Sequence, residues 1–286
     1  MAGESGPMET FDRVNNPLRL EILRELARAF SESPVDPCLR YSDLREAVGV
    51  RDKGNFNYHL DRLDGLVRKE SEGYVITSVG LTVVSTVASG ALDPDWEWGP
   101  RDVPGECFFC GDPLTLCHED GHLLLTCGSG DHGLVFSVPP SLVDEHPDDE
   151  VLERVAFALY QQVAGVKRGV CPECRGEVTA EIIPELRPGG DYFFRGDCHT
   201  CGFQHGFPVG AAALSHPDVV AAFAEEGVDV RTTPFWTLPW CHVGHEAVVS
   251  EDPFRVRVDV PDAGSGLVVV LDRSGSVVST EQSPPV

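Results

Sequence analysis

Residues 42–77 read SDLREAVGVRDKGNFNYHLDRLDGLVRKESEGYVIT, and their pattern is the most informative about how the N-terminal part of the chain folds. Ser42 is a good N-cap for a short helix over residues 43–48. A Gly-Val pair then supplies a tight break. Asp52 can cap a second helix that runs to about residue 64. The stretch therefore predicts two short helices joined by a turn.

The residues that follow predict a β-hairpin. Segments 66–69 and 74–77 are β-prone, and the sequence Glu-Ser-Glu-Gly separates them. Two helices followed by such a hairpin are typical of the second half of a winged helix-turn-helix domain. In such a domain, Arg68 and Lys69 would lie where the hairpin touches the DNA backbone.

The second helix is predicted to have one apolar and one polar face. Phe56, Leu60 and Leu63 fall within about 60° of one another at ~100° per residue, which indicates a buried face. The opposite face and its flanks offer hydrogen-bonding groups suited to base edges and phosphates. The predicted DNA-binding residues are Arg51, Lys53, Asn55, Asn57, Tyr58, Arg62, Arg68 and Lys69. The alternative is a winged helix used only for protein contact, because a fold does not fix a function.

Three segments, SDLREAVGV, NFNYHLDRL and EGYVITSVG, resemble the winged-helix domain of many haloarchaeal transcription regulators related to the arsenic-repressor type. The resemblance covers roughly residues 11–90 and is most specific at Asn57-Tyr58-His59-Leu60. The residues Ser-Glu-Asp-Pro at 250–253, and the β-prone region after them, resemble the end of the accessory region in the same regulators. The resemblance thus extends over nearly the whole chain and implies a DNA-binding transcription regulator.

The composition is acidic, and the charge is unevenly distributed. The 286 residues carry a formal net charge of −24. An acidic excess of this kind resembles the composition of proteins from a salt-loaded cytoplasm. Residues 1–90 contain 11 basic and 14 acidic side chains, whereas the rest contains 11 and 32. We therefore expect the N-terminal module to meet DNA with the least repulsion. The first ten residues are polar and no run of about 20 apolar residues is present, so we expect a cytoplasmic protein with no membrane partner.

The predicted fold class is α+β. An N-terminal winged helix-turn-helix precedes a duplicated zinc-ribbon and helix region, and a C-terminal antiparallel β meander follows at about 250–280. The predicted segments are a disordered tail at 1–10, the DNA-binding domain at 11–90, a linker at 91–104 and an accessory domain at 105–286. Within that accessory domain, the two zinc-ribbon-like units are expected at 105–165 and 168–227, because both continue into a His-Pro-Asp sequence and a helix in similar register.

Eight of the ten cysteines fall in two short windows, which favours metal binding over disulfides. Two CxxC pairs, Cys171 with Cys174 and Cys198 with Cys201, form a strong zinc-ribbon pattern. Four thiolates leave no open coordination position, so the predicted zinc is structural.

The first window predicts a second, weaker zinc site. Its candidate ligands are Cys107, Cys110, Cys127 and His132. Cys117, His118 and Asp131 are rivals for the fourth position, and a ribbon that has lost its metal is the alternative. The sequence therefore predicts one zinc ion, with a second if the first window is loaded.

These features predict a sequence-specific transcription regulator whose partner is double-stranded DNA. The accessory domain would serve sensing, dimerisation or contact with the transcription machinery. In the regulators that the chain resembles, the first and last helices of the winged helix often form a homodimer interface, and the alternative is that these helices close a monomeric core. The alternatives are a basal initiation factor that binds RNA polymerase and a protein-interaction module without DNA sequence preference. We expect no enzymatic activity, because no phosphate-binding loop or nucleophile elbow is present.

Overall fold

The computed structural model describes residues 7–107, 109–144, 146–184, 192–242, 244–261 and 266–282. Within these residues the chain forms seven α-helices and four antiparallel β-sheets. It divides into two compact units, unit 1 at Met1–Leu92 and unit 2 at Asp93–Val286. The prediction of a mixed chain of helices and antiparallel sheets is confirmed.

Unit 1 is mainly helical. Its elements are α1 (Pro7–Val14), α2 (Pro17–Glu32), α3 (Tyr41–Ala47), α4 (Lys53–Asp61), β1 (Val67–Lys69), β2 (Tyr74–Ile76) and α5 (Ser78–Ala88). Strands β1 and β2 pair as an antiparallel hairpin in which Arg68 lies opposite Val75. The core is formed by apolar side chains of α2, α3 and α4 and the residues after α4. Its largest members are Ile22, Leu23, Leu26, Leu44, Phe56, Leu63 and Leu66.

Side-chain caps begin three of these helices: Asn16 caps α2, Asp52 caps α4 and Thr77 caps α5. The carboxylate of Asp52 accepts a hydrogen bond from the backbone N–H of Asn55 at 2.7 Å, as expected for an N-cap. The predicted cap at Ser42 is wrong, because its hydroxyl donates to the carboxylate of Asp43 instead. Helix α3 begins at Tyr41, one residue before the predicted cap.

The predicted disordered tail at residues 1–10 lies outside the described residues up to residue 6. From Pro7 onward the prediction is wrong, because helix α1 begins there. The guanidinium of Arg19 donates to the carbonyl oxygens of Asp12 at 2.9 Å and Arg13 at 2.7 Å. These bonds satisfy carbonyls at the end of α1 that have no partner within the helix.

The described residues of unit 2 form three antiparallel sheets and two α-helices. The first sheet has the order β3 (Trp98–Glu106), β4 (Pro113–Glu119), β5 (His122–Cys127), β6 (Gly133–Phe136). Helix α6 (Asp148–Lys167) leads to the second sheet, β7 (Val178–Pro184), β8 (Tyr192–Cys198), β9 (Gln204–Pro208). Helix α7 (Pro217–Glu225) precedes a meander of β10 (Glu246–Glu251), β11 (Phe254–Val260), β12 (Leu267–Asp272) and β13 (Val277–Gln282). Short 3-10 turns lie at Pro140–Leu142, Val209–Ala213, Phe235–Thr237 and Pro239–Cys241.

The segment predicted as a linker, residues 91–104, contains most of strand β3. Its backbone pairs with β4, so that Arg101 lies opposite Leu116 and Trp98 opposite His118. Just before the strand, the ring of Trp96 packs edge-on against His118 with centroids 4.8 Å apart. Pairing with a strand further along the chain thus orders a segment whose prolines indicated a loop.

One core joins the parts of unit 2. Helix α6 buries a single face through Val151, Val155, Leu159 and Val163, which recur every four residues. The same cluster includes inward side chains from the first sheet, the second sheet and the meander. The two zinc-ribbon-like units that the sequence predicted therefore share one hydrophobic core and do not have separate cores.

Candidate nucleic-acid interface and metal clusters

Helix α4 has one buried face and one exposed polar face. Phe56 and Leu60 are buried in the core of unit 1, whereas Asn55, Tyr58 and Arg62 point to solvent, with Tyr58 54% exposed. All eight side chains that the sequence assigned to DNA contact are exposed: Arg51, Lys53, Asn55, Asn57, Tyr58, Arg62, Arg68 and Lys69. These side chains are therefore accessible to a polar partner.

Two contacts hold the exposed face in place. Arg45 of α3 donates from its guanidinium to the carbonyl oxygen of Arg51 at 2.9 Å, which ties the turn between the helices to α3. The guanidinium carbon of Arg62 lies 5.4 Å from the ring centroid of Tyr58, one helical turn earlier. This cation–π contact orders a long side chain that would otherwise lose more entropy on binding.

The start of α4 and the β1–β2 hairpin form one groove. Lys53, Asn57 and Lys69 line it together, so two of the three lysines of the chain lie along the same groove. Glu70 and Glu72 line the same groove and reduce its positive charge.

Arg68 does not join the two lysines of the groove. Its guanidinium is paired with the carboxylate of Glu70 at 2.6 Å on the exposed surface. Exposed pairs contribute only about 0–1 kcal/mol, so a phosphate could compete with this carboxylate at small cost.

In unit 2, four cysteines form a first candidate metal-binding cluster, with Sγ atoms all within 4.8 Å of one another: Cys171, Cys174, Cys198 and Cys201. The sulfurs of Cys174 and Cys198 are 3.5 Å apart, and those of Cys171 and Cys201 are 3.8 Å apart. A tetrahedron with Zn–S bonds of ~2.3 Å has S···S edges of about 3.8 Å. The donor set is therefore compatible with zinc in both chemistry and spacing.

The two CxxC turns also orient backbone N–H groups toward the sulfurs. The N–H of Gly176 donates to Cys174 Sγ at 3.4 Å, and that of Thr200 donates to Cys198 Sγ at 3.4 Å. A Cβ at Gly176 would collide with the side chain of Thr200, so this turn requires glycine.

Two of these thiols have pKa values shifted in opposite directions. The N–H of Cys201 lowers the pKa of Cys198 to about 6. For Cys201 itself, the N–H of Phe203 opposes the shift, but burial and the neighbouring thiols raise the pKa to about 12. Four clustered thiolates thus need a cation to neutralise them, which is the charge that zinc supplies.

The second cluster contains Cys107, Cys110, Cys127 and His132, whose ligand atoms likewise lie within 4.8 Å of one another. His132 Nδ1 is 3.7 Å from Cys107 Sγ and 3.8 Å from Cys127 Sγ, so the fourth member is His132. Its rival His118 is buried elsewhere and makes a 3.0 Å hydrogen bond with the carbonyl oxygen of Val138. This Cys₃His set is also compatible with zinc.

In this second cluster too, the pKa of one thiol is lowered and that of another is raised. The hydroxyl of Ser129, 3.0 Å from Cys127 Sγ, is the main cause that lowers the pKa of Cys127 to about 6. The N–H of Asp112 favours ionised Cys110, but burial and the thiols around it outweigh that bond and raise its pKa to about 11.

One residue beside the four-cysteine cluster was missed from the sequence. His205 on β9 is only 4% exposed, and its Nε2 lies 3.7 Å from Cys171 Sγ. Burial lowers the pKa of His205, so it is held as a neutral ring that can donate N–H to the sulfur. Its only sequence signal is a histidine four residues after the last cysteine of the pair.

Among the described residues, no helix is both long and apolar enough to cross a bilayer.

Comparison with known families gives two matches. The family model described as "Domain of unknown function (DUF7351)" matches residues 104–277, and the one described as "Domain of unknown function (DUF7347)" matches residues 7–87. No curated protein and no solved structure matches the chain significantly.

Proposed function

We propose that this chain, which belongs to the family of the domain of unknown function DUF7351, is a sequence-specific DNA-binding transcription regulator. Unit 1 would be its DNA reader and unit 2 its accessory domain. The proposal rests on side chains and their chemistry, because neither family description names an activity.

The observation that supports the proposal most strongly is that helix α4 is amphipathic. Its apolar side is fixed in the core by Phe56 and Leu60, while Asn55, Tyr58 and Arg62 face solvent. The major groove of B-DNA is about 12 Å wide and admits one helix, and amide and guanidinium groups are the usual readers of its base edges. In this proposal α3, α4 and the β1–β2 hairpin form a winged helix-turn-helix of the arsenic-repressor type, with α4 in the groove.

Lys53 of α4 and Lys69 of β1 would supply the phosphate contacts. Lys53 and Lys69 share a groove, and the hairpin would carry Lys69 along the DNA backbone as a wing. If about four phosphates were neutralised, affinity would fall by roughly four to five decades between ~0.1 M and ~2 M salt. In a salt-loaded cytoplasm, base-edge contacts would then have to supply most of the affinity.

The two clusters of unit 2 would each hold one zinc ion as a structural element. Cys171, Cys174, Cys198 and Cys201 would bind the first, and Cys107, Cys110, Cys127 and His132 the second. Four protein donors complete a tetrahedron, so the metal would add folding energy of order 10 kcal/mol and offer no site for a substrate. Unit 2 would then be a rigid platform for sensing, dimerisation or a protein partner.

A competition assay with the zinc-loaded full chain tests the proposal. Labelled duplexes selected from a random pool should be displaced by the selected sequence at least about a thousandfold better than by unrelated DNA. Equal displacement by all duplexes would refute the proposal. Equal displacement together with binding to RNA polymerase would favour the basal initiation factor instead.

A further inference from the structure

The exposed face of α4 receives one hydrogen bond from another helix. The hydroxyl of Tyr41, the first residue of α3, donates to Oδ1 of Asn57 at 2.7 Å. Asn57 is exposed on α4 and lines the groove with both lysines. An amide that was predicted to contact DNA is therefore already engaged through its oxygen.

The hydroxyl of Tyr41 is held in position by packing. Its ring meets that of Phe56 edge-on with centroids 5.2 Å apart, and Phe56 is fully buried. On the hairpin side, the ring of Tyr74 lies 6.5 Å from the ring of Tyr41. The hydroxyl is thus at a defined place, and Asn57 is oriented by a group anchored to the core.

This bond leaves the amide with unequal hydrogen-bonding capacity. The oxygen of Asn57 is turned toward Tyr41, whereas its NH₂ group keeps both donors. The side-chain amide of Asn55 has no hydrogen-bond partner within the described part of the chain, so it offers both donor and acceptor. The two asparagines of one helix face are therefore not equivalent readers.

Bases differ in what they require from such an amide. Adenine is recognised by a bidentate pair in which the amide oxygen accepts from N6 and the NH₂ donates to N7. Guanine offers only the acceptors N7 and O6 at its major-groove edge, and thymine only O4. A donor-only amide suits the acceptor edges and loses half of the adenine pair.

We propose that Tyr41 is a positioning residue that makes Asn57 a donor-only reader, selective for a base whose major-groove edge presents acceptors. The inference rests on the proposed DNA-binding function. Loss of the Tyr41 hydroxyl frees the amide to rotate, and adenine then becomes its preferred base. The change in preference is about tenfold at that one position, the scale of one bidentate contact.

Selection from random duplex DNA with the zinc-loaded full chain tests this inference at a single salt concentration. Asn57→Ala identifies the position that Asn57 reads, because preference there is lost. Tyr41→Phe is expected to shift that same position from guanine or thymine to adenine by about tenfold. Tyr74→Phe removes a hydroxyl from the same three-ring cluster and is expected to retain the wild-type base at that position.

The outcomes separate two failures. If the wild type selects a site but Tyr41→Phe leaves its base preference unchanged, or Asn57→Ala alters no position, the inference is overturned while the proposed function stands. If the wild type selects no sequence at all, both are overturned. A thermal melt of Tyr41→Phe that matches wild type excludes unfolding as the cause of any change.

Discussion

Replacing Lys167 by methionine should change the pH dependence of the stability of unit 2. Lys167 is the last residue of α6, and its ammonium group donates to the carbonyl oxygen of Ala212. Burial, and then the nearby charge of Arg168, lower the pKa of Lys167 from 10.5 to about 8. The folded protein therefore carries this charge at neutral pH at the expense of stability.

The expected magnitude follows from linkage. Between pH 8 and 10.5 the unfolded chain holds a proton on Lys167 that the folded chain has released, so the free energy of unfolding rises with pH. Relative to pH 7, the gain at pH 9.5 is about 2 kcal/mol, and the full gain above both pKa values is about 3 kcal/mol. Methionine carries no proton, so the variant lacks this gain.

Urea unfolding followed by tryptophan fluorescence measures it. All four tryptophans of the chain, at positions 96, 98, 236 and 240, belong to unit 2, so the signal reports that unit alone. The difference in free energy of unfolding, wild type minus Lys167→Met, should increase by about 2 kcal/mol between pH 7 and pH 9.5. Lys53→Met, in unit 1, is the matched control. The difference in free energy of unfolding between wild type and Lys53→Met should be the same at both pH values. An equal difference for Lys167→Met at both pH values would refute the burial argument.

Three further predictions concern the metal clusters and the core. Metal analysis should find two zinc ions per chain and one in Cys198→Ser; a wild type that binds none would contradict the tetrahedral donor sets. His205→Phe should speed zinc transfer to a chelator by about 10- to 100-fold, with partial recovery in His205→Gln; unchanged transfer would show that the ring only fills space. Phe56→Ala should destabilise unit 1 by about 3–5 kcal/mol. The unfolding transition seen by far-UV circular dichroism should then begin at a lower urea concentration, while the midpoint seen by tryptophan fluorescence is retained. A shifted tryptophan midpoint would mean that the units unfold together.

Local sequence patterns predicted the parts of the molecule that depend on neighbouring residues. The spacing of Phe56 and Leu60 predicted which side of α4 is buried, and Cys171 with Cys174 predicted a cluster because CxxC forms a local turn. The exposed residues on α4 could be predicted for the same reason: helical period alone assigns them to the face opposite the core.

Features that depend on distant partners could not be predicted. Strand β3 passes through a segment that contains prolines, and only its pairing with β4 orders it. His205 carries no motif, because its proximity to Cys171 arises when β9 folds beside the cluster. The bond from Tyr41 to Asn57 likewise requires α3 to pack against α4.

In the proposed function, the exposed face of α4 reads DNA bases. The most direct measurement compares wild type and Arg62→Ala on the selected duplex and on a set of single-base variants of it, at equal salt. We expect Arg62→Ala to lose about 1–3 kcal/mol of binding free energy on the selected duplex. The variant should become indifferent to one base pair while it still discriminates at the others. A uniform loss on every duplex, or no loss at all, would contradict the claim.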